Sequence, residues 1–445
     1  MGAVKRLRIS GWGRYPDAVC NVARPSRTDD ILVDFAEAET VIARGCGRSY
    51  GDASLNPNLT LVMSRMNRIL NFDSTSGLIE CEAGVTLSDL IEIFLPRGFV
   101  VPVTPGTHRV TIGGMISADV HGKNHHGQGS FCDHVEGLDL LIGPGRILRC
   151  SRDSNRDLFE AACGGMGLAG TIVRATFLMK RIETAFIRQR TVKASNLEAA
   201  FQSFEDTAGW TYSVAWLDCL ARGNKLGRSV LFLGEHAKSS ELPRRFAHRG
   251  FTPVHQSKGR VPFDLPAFAL SAAAIRPFNA SYWRLQREGA RIADFMSYFY
   301  PLDSIEGWNR LYGRRGFVQY QCLLPLAASA RGLREILLAT SEFGSGSFLT
   351  VLKRMGEQSF GMLSFPMPGY TLTMDFPVNR ANLTMLNRLD AITVDYGGRI
   401  YLAKDARASP RTIEAGYARL QEFREVRRKY DLDRFSSLLS RRLEI

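Results

Sequence analysis

Residues 121–126 read His-Gly-Lys-Asn-His-His, the densest run of titratable and amide side chains in the chain. Imidazoles and an amine this close together serve as metal ligands, as acid–base groups or as satisfied structural histidines. A metal reading uses His121 and His125 at i, i+4, a spacing that needs a helix. Gly122 and Asn124 are poor helix formers. No His-Glu-x-x-His pattern or cysteine ligand set accompanies them, so no metal is expected. The run follows a glycine cluster, which favours a loop facing a cofactor or substrate.

Three glycine clusters occupy the first 170 residues. They are Ala43-Arg44-Gly45-Cys46-Gly47-Arg48-Ser49-Tyr50-Gly51-Asp52, then Thr104-Pro105-Gly106-Thr107 leading to Thr111-Ile112-Gly113-Gly114, then Gly164-Gly165-Met166-Gly167-Leu168-Ala169-Gly170. Glycine admits φ > 0 and turns successive N–H groups toward one point, making a concave nest for anions. Three nests in one region predict a large phosphorylated cofactor held along its length. The first cluster is Gly-x-Gly-x-x-x-Gly, which is neither a dinucleotide turn nor a P-loop.

The elements that position these residues are legible only coarsely. A chain of 445 residues predicts two or three domains. Its composition, 45% apolar and 23% charged, is that of a globular protein with a large core. The eight cysteines are scattered, which predicts reduced, mostly buried thiols rather than a disulfide framework. An apolar helix-sized stretch around Phe35–Val41 and a buried strand at Leu59–Met63 read as a βαβ-like start. Leu78–Val85 alternates like a strand, and Thr86 with Asp89 forms a capping-box spacing for a helix that Pro96 stops. Leu138–Ile142 and Ile147–Cys150 flank a Gly143-Pro144-Gly145 turn as a hairpin. Thr171–Phe177 is a strand, and Thr412–Tyr430 has helical periodicity.

The net charge of +13 favours an anionic partner. No zinc finger or RNP signature is present, so no nucleic acid is expected; an anionic membrane surface or a phosphorylated lipid fits the charge. The stretch 222–277, rich in Arg and Lys, reads as a basic, mobile or membrane-facing insertion, with Arg244, Arg245 and Arg249 toward lipid. Met1–Ser10 lacks a continuous apolar stretch and no run approaches bilayer length. The expectation is no signal peptide, no transmembrane helix, and a cytoplasmic or peripheral inner-membrane location.

The motifs resemble the vanillyl-alcohol-oxidase-type FAD superfamily and, more narrowly, the flavoprotein subunits of decaprenylphosphoryl-ribose 2′-epimerases. The resemblance rests on Arg44–Asp52, Pro105-Gly106-Thr107, Thr111–Gly114, His121–Gly127, Gly129-Ser130-Phe131 and Gly164–Leu168. It begins at Gly11-Trp12-Gly13-Arg14 and extends to Arg441-Arg442-Leu443. It implies an α+β, two-domain fold. An FAD-binding domain covers 1–182, a substrate domain with an antiparallel sheet covers 183–397, and 398–445 returns to the FAD region. Non-covalent FAD is expected, because Arg48 occupies the place where some relatives carry a tethering histidine. Arg44–Asp52, Pro105, Gly106, Thr107 and Thr111–Gly114 would cradle the pyrophosphate. Ser117, His121, Gly122, Asn124, Gly167, Gly170, Ile172 and Tyr401 would lie along the cofactor.

The same resemblance makes Lys404, His121 and Lys123 the catalytic candidates. It assigns Gln319, Gln321, Lys353, Thr371, Thr373 and Lys404 to the substrate. Thr373 stands where some relatives have cysteine, and Thr371 where they have asparagine, so the substrate wall departs more than the flavin machinery. The activity implied is oxidation of the 2′-hydroxyl of a polyprenylphosphoryl-ribose to a ketone, for cell-envelope arabinose supply. An NAD(P)H-dependent short-chain reductase would complete the epimerisation, and a quinone or O₂ would take the electrons. The alternatives are a soluble oxidase of free polyols or aldonolactones, and a non-catalytic scaffold for the reductase.

Overall fold

In the computed structural model, residues 4–247, 250–251, 259–266 and 270–445 are described. The chain opens with β1 (Lys5–Ser10), β2 (Asp17–Ala23), α1 (Thr28–Glu37), β3 (Ile42–Arg44) and β4 (Thr60–Val62). These strands form one sheet in the order β1-β2-β4-β3. Helix α1 starts earlier than the apolar stretch around Phe35 indicates. The Asp30 carboxylate accepts from the backbone N–H groups of Ser26 and Arg27 at 2.8 and 3.0 Å, which satisfies donors that precede the helix.

Next come β5 (Ile69–Phe72), β6 (Leu78–Glu82), α2 (Leu87–Phe94), β7 (Phe99–Val100), α3 (Ile112–Ser117) and α4 (His125–Gln128). They are followed by β8 (Val135–Gly143), β9 (Arg146–Cys150), α5 (Arg156–Ala162), β10 (Thr171–Leu178) and β11 (Lys180–Arg181). A second sheet runs β5-β6-β10-β8-β9. The Thr86–Asp89 capping box forms, with bonds of 2.9 and 3.1 Å, and β8 and β9 are the hairpin read from the sequence.

Beyond residue 182 lie β12 (Phe186–Ala194), α6 (Leu197–Asp206), β13 (Tyr212–Leu217), β14 (Ser229–His236), α7 (Arg244–Ala247) and β15 (Gly259–Arg260). Then come α8 (Ala272–Leu285), β16 (Gly289–Asp294), α9 (Phe295–Phe299), β17 (Ile305–Glu306), β18 (Phe317–Pro325) and α10 (Leu326–Glu342). The remainder is β19 (Thr350–Met355), β20 (Gly369–Pro377), α11 (Arg380–Asp395), β21 (Arg399–Ile400), α12 (Pro410–Gly416), α13 (Leu420–Lys429) and α14 (Leu438–Leu443). An eight-stranded antiparallel sheet runs β16-β12-β14-β13-β19-β20-β18-β21.

The stretch 222–277 is not one insertion. Ser229–His236 is β14, paired on both sides inside the large sheet. Val230, Leu231 and Leu233 are fully buried there, so the basic residues flank a core strand. Arg249 and the side chain of Arg245 lie outside the described residues. The charged tail 412–430 is helical as its periodicity indicates, in two helices broken between Gly416 and Leu420. The segment after α13 packs back beside the first sheet, where Val41 bridges to Phe435. Among the described residues no helix is long and apolar enough to cross a membrane.

Candidate active site

One cavity of about 1390 Å³ joins the glycine clusters to one face of the eight-stranded sheet. The first cluster follows β3 and the second leads into α3, whose N-cap Thr111 accepts from Gly114 N–H at 3.2 Å. Gly113 N–H donates to the Ala83 carbonyl at 2.8 Å, which ties this turn to the end of β6. The two clusters meet at Gly45, where a Cβ would overlap the Thr111 hydroxyl, so only glycine permits that approach. Asp303 accepts from Thr107 Oγ1 and His108 N–H at 2.9 and 2.8 Å and fixes the loop between them.

Most of the cofactor candidates line this cavity. Arg44 to Tyr50 do, as do Pro105, Gly106, Thr107, Thr111, Gly113, Gly114, Ser117, His121, Gly122, Gly167, Gly170, Ile172 and Tyr401. Four do not. Gly51 abuts the backbone at Asp405, Asp52 pairs with Arg442, Ile112 is core, and Asn124 Nδ2 donates to the Pro102 carbonyl at 2.8 Å. Their work is to hold the cavity wall.

Strand pairing assembles the other wall. Gln321 stands opposite Thr373, Thr373 opposite Val351, and Gln319 opposite Asp375. Side chains two apart share a face, so Gln319, Gln321, Thr373, Asp375 and Lys353 all lie on one side. Thr371 lies behind Gln321 and is fully buried, off the cavity. Its hydroxyl donates to the Cys322 carbonyl at 2.8 Å. Gln321 Nε2 donates to Thr371 Oγ1 at 3.2 Å and lies 3.0 Å from His121 Nε2.

The three catalytic candidates differ in what they are free to do. Lys123 lines the cavity, yet its Nζ donates to the backbone carbonyls of Tyr298 and Phe299. His121 is packed against Tyr401 and Phe365, with ring centroids 5.1 and 5.4 Å away. Burial, reinforced by Lys353, His125 and Lys404, pushes its pKa well below the usual imidazole value, so the ring is neutral. Lys404 Nζ sits 4.0 Å over the Tyr50 ring and makes no hydrogen bond among the described residues. Burial lowers its pKa to about 8, opposed by the Asp375 carboxylate.

Burial raises Asp375 to about 7, against hydrogen bonds from Gln319 Nε2 at 2.6 Å and Tyr312 OH at 3.2 Å and the charge of Lys404. Lys353 falls to about 7 through burial and the neighbouring Lys404. This gives two buried amines near their titration points and a neutral imidazole on one wall. Such a set can remove a hydroxyl proton and hold an anion.

Sequence reasoning passed over Asp375 and Trp12 as site residues. Asp375 is reached only through the register of β18 and β20. Trp12 carries the Arg48 guanidinium 4.0 Å over its ring. No local pattern signals either contact.

Residues 16–151 match the family described as FAD binding domain. Over 451 aligned residues the chain is 37% identical to decaprenylphosphoryl-β-D-ribose oxidase of Mycolicibacterium smegmatis, covering 98% of this chain and 97% of that one. The chain belongs to the decaprenylphosphoryl-β-D-ribose oxidase family of FAD-dependent oxidoreductases. A Streptomyces coelicolor protein from the mprA 5′ region is 33% identical over 81% of this chain and all of its own length. L-gulonolactone oxidase of Bos taurus is 33% identical over 39% of this chain and 40% of its own.

FAD, the cofactor of this oxidase family, fits the residues present. The glycine cradle admits close backbone approach, and a Cβ at Gly106 would point into open space. Arg48 Nε is buried on the wall with no hydrogen-bond partner among the described residues, which suits a donor to a phosphate oxygen.

Proposed function

We propose that the chain oxidises the 2′-hydroxyl of a polyprenylphosphoryl-ribose to the 2′-ketone, the first half of a 2′-epimerisation. The observation that carries this reading is the single cavity joining the glycine cradle to Gln319, Gln321, Lys353 and Lys404. The named activity of the mycobacterial relative supports it. Bound FAD supplies the two-electron acceptor for the hydride lost from carbon.

The proton lost from oxygen goes to Lys404 Nζ, which is near its titration point and makes no hydrogen bond among the described residues. Lys353, a buried amine whose pKa is lowered to about 7, takes up a proton beside the substrate phosphate and pairs with it. Gln321 and His121 hold the sugar edge, and Tyr50 is the ring against which Lys404 rests. FAD is held non-covalently, with Arg48 in place of a tethering histidine.

The domains divide as 1–182, 183–397 and 398–445, with the cavity between the first two. A short-chain reductase using NAD(P)H returns the ketone to the epimeric alcohol, and a quinone or O₂ reoxidises the flavin. The excess of positive charge keeps the protein at an anionic membrane face, where arabinose for the cell envelope is made.

The test is anaerobic addition of polyprenylphosphoryl-ribose to the purified yellow protein. Bleaching of the oxidised-flavin band, with a keto-sugar recovered, supports the reading. Bleaching by free polyols or aldonolactones but not by the lipid-linked sugar overturns it.

A further inference from the structure

The cavity does not end at Lys353. Beyond it, the same face of the sheet turns apolar. Val351 stands opposite Trp216 on β13, and Val214, two residues before Trp216, stands opposite Phe232 on β14. The floor then reaches β12 and β16, where Gln189 stands opposite Arg291. All these side chains line the one cavity.

Helix α8 forms the roof through Ile275, Phe278 and Tyr282. The Trp216 and Tyr282 rings close floor on roof, with centroids 4.5 Å apart. Trp216 Nε1 donates to the Phe348 carbonyl at 2.9 Å, so its polar atom is satisfied and the ring presents only carbon. From β19 to β16 the arm crosses four strand spacings, about 19 Å at ~4.8 Å each.

We propose that this arm is the binding site for the isoprenoid chain of the substrate, which leaves the sugar at Lys353 and runs across β13 and β14 beneath α8. This rests on the function proposed above. Three observations commit the arm to an apolar chain joined to a polar head. It is continuous with the Lys353–Lys404 end, so one molecule spans both. Between Lys353 and Gln189 the strand residues of its floor are uncharged, and Lys123, which also lines the cavity, has its Nζ bound to the Tyr298 and Phe299 carbonyls. At its far end Arg291 is held by Gln189 Oε1 at 3.1 Å, and α8 above the arm exposes Phe278 and Leu285, 50% and 77% accessible. A free sugar or aldonolactone has nothing to place against Trp216, Val214 and Phe232. A chain of several isoprene units has, and each buried methylene adds to affinity.

The experiment compares two substrates, a long polyprenylphosphoryl-ribose and one bearing a single prenyl unit, on wild type, Val214→Phe and Ala274→Trp. Val214 lies on the floor. Ala274 lies on the exposed surface of α8 facing the arm, so its replacement spares the core. FAD content and melting temperature check folding.

The expected result is a wild type that prefers the long chain in KM. In both variants the long-to-short ratio of kcat/KM falls about tenfold or more, through KM rather than kcat. A wild type indifferent to chain length, or variants that lower both substrates equally, overturns the arm assignment and leaves the proposed reaction standing. Failure of wild type to oxidise either substrate overturns the proposed reaction, and the arm assignment with it.

Discussion

Gln321 and His121 are joined by a hydrogen bond whose direction is fixed from behind. The Cys322 carbonyl can only accept, so Thr371 spends its one proton there at 2.8 Å. Thr371 Oγ1 therefore accepts from Gln321, which identifies the amide nitrogen on that side. The second N–H of the same amide faces His121 Nε2 at 3.0 Å. His121 Nε2 is thus the unprotonated nitrogen, and the ring proton sits on Nδ1.

This predicts a neutral His121 with one tautomer across the neutral pH range. In ¹⁵N-histidine spectra its Nε2 should report as unprotonated and should not titrate near the usual imidazole pKa. Gln321→Glu replaces the donor with a carboxylate that accepts from His121, so the tautomer should reverse and the ring should begin to titrate. A wild-type His121 that gains a proton near its ordinary pKa would refute the assignment.

Lys404 and Asp375 set the pH dependence. An amine removes a proton only in its neutral form, so kcat, measured with the phosphate bound at Lys353, should rise with pH and level off above about 8. Asp375 stabilises the protonated amine. Asp375→Asn removes that anion, lowers the Lys404 pKa further, and should move the rising limb to lower pH. Lys404→Met should retain yellow flavin while kcat falls by roughly 10²–10⁴-fold. A profile that falls with rising pH would show instead that the ammonium form is the active one.

What the sequence discloses and what it hides follow from distance along the chain. The glycine clusters are readable because a positive φ is a local demand; Gly47 and Gly167 show it, at +65° and +79°. The Thr86–Asp89 cap is local too. Asp375 reaches Gln319 across 56 residues, and the Trp216–Val351 pairing spans β13 and β19, so neither leaves a local pattern. The basic stretch 222–277 misleads for a related reason. Arg222–Arg228 and Lys238–Arg245 raise its charge, while the apolar run Val230–Leu233 between them is a core strand.

Adjacent residues can mislead as well. Lys404 and Asp405 invite an ion pair, yet Asp405 faces away and binds Arg442 at 2.9 Å. Arg442 also reaches Asp52 at 2.8 Å and the Ala408 carbonyl at 2.7 Å. One guanidinium thus ties the first glycine cluster, the segment carrying Lys404 and the C-terminal helix α14. Burial works to raise the Asp405 pKa, but Arg442 and Arg407 outweigh it and hold the carboxyl below its ordinary value. A depressed carboxylate contributes stability that is complete above the usual carboxylate range and is lost as pH falls through the lower, folded-state value. Arg442→Ala leaves two buried carboxylates short of a partner and should destabilise the protein by about 3 kcal/mol. The loss should appear as a lower melting temperature and weaker FAD retention, with acid unfolding beginning at a higher pH than in wild type. Arg441→Ala, on the exposed side of the same helix, should shift stability by no more than about 0.5 kcal/mol. Equal melting curves for the two variants would show that the Arg442 bridge does not hold these three segments together.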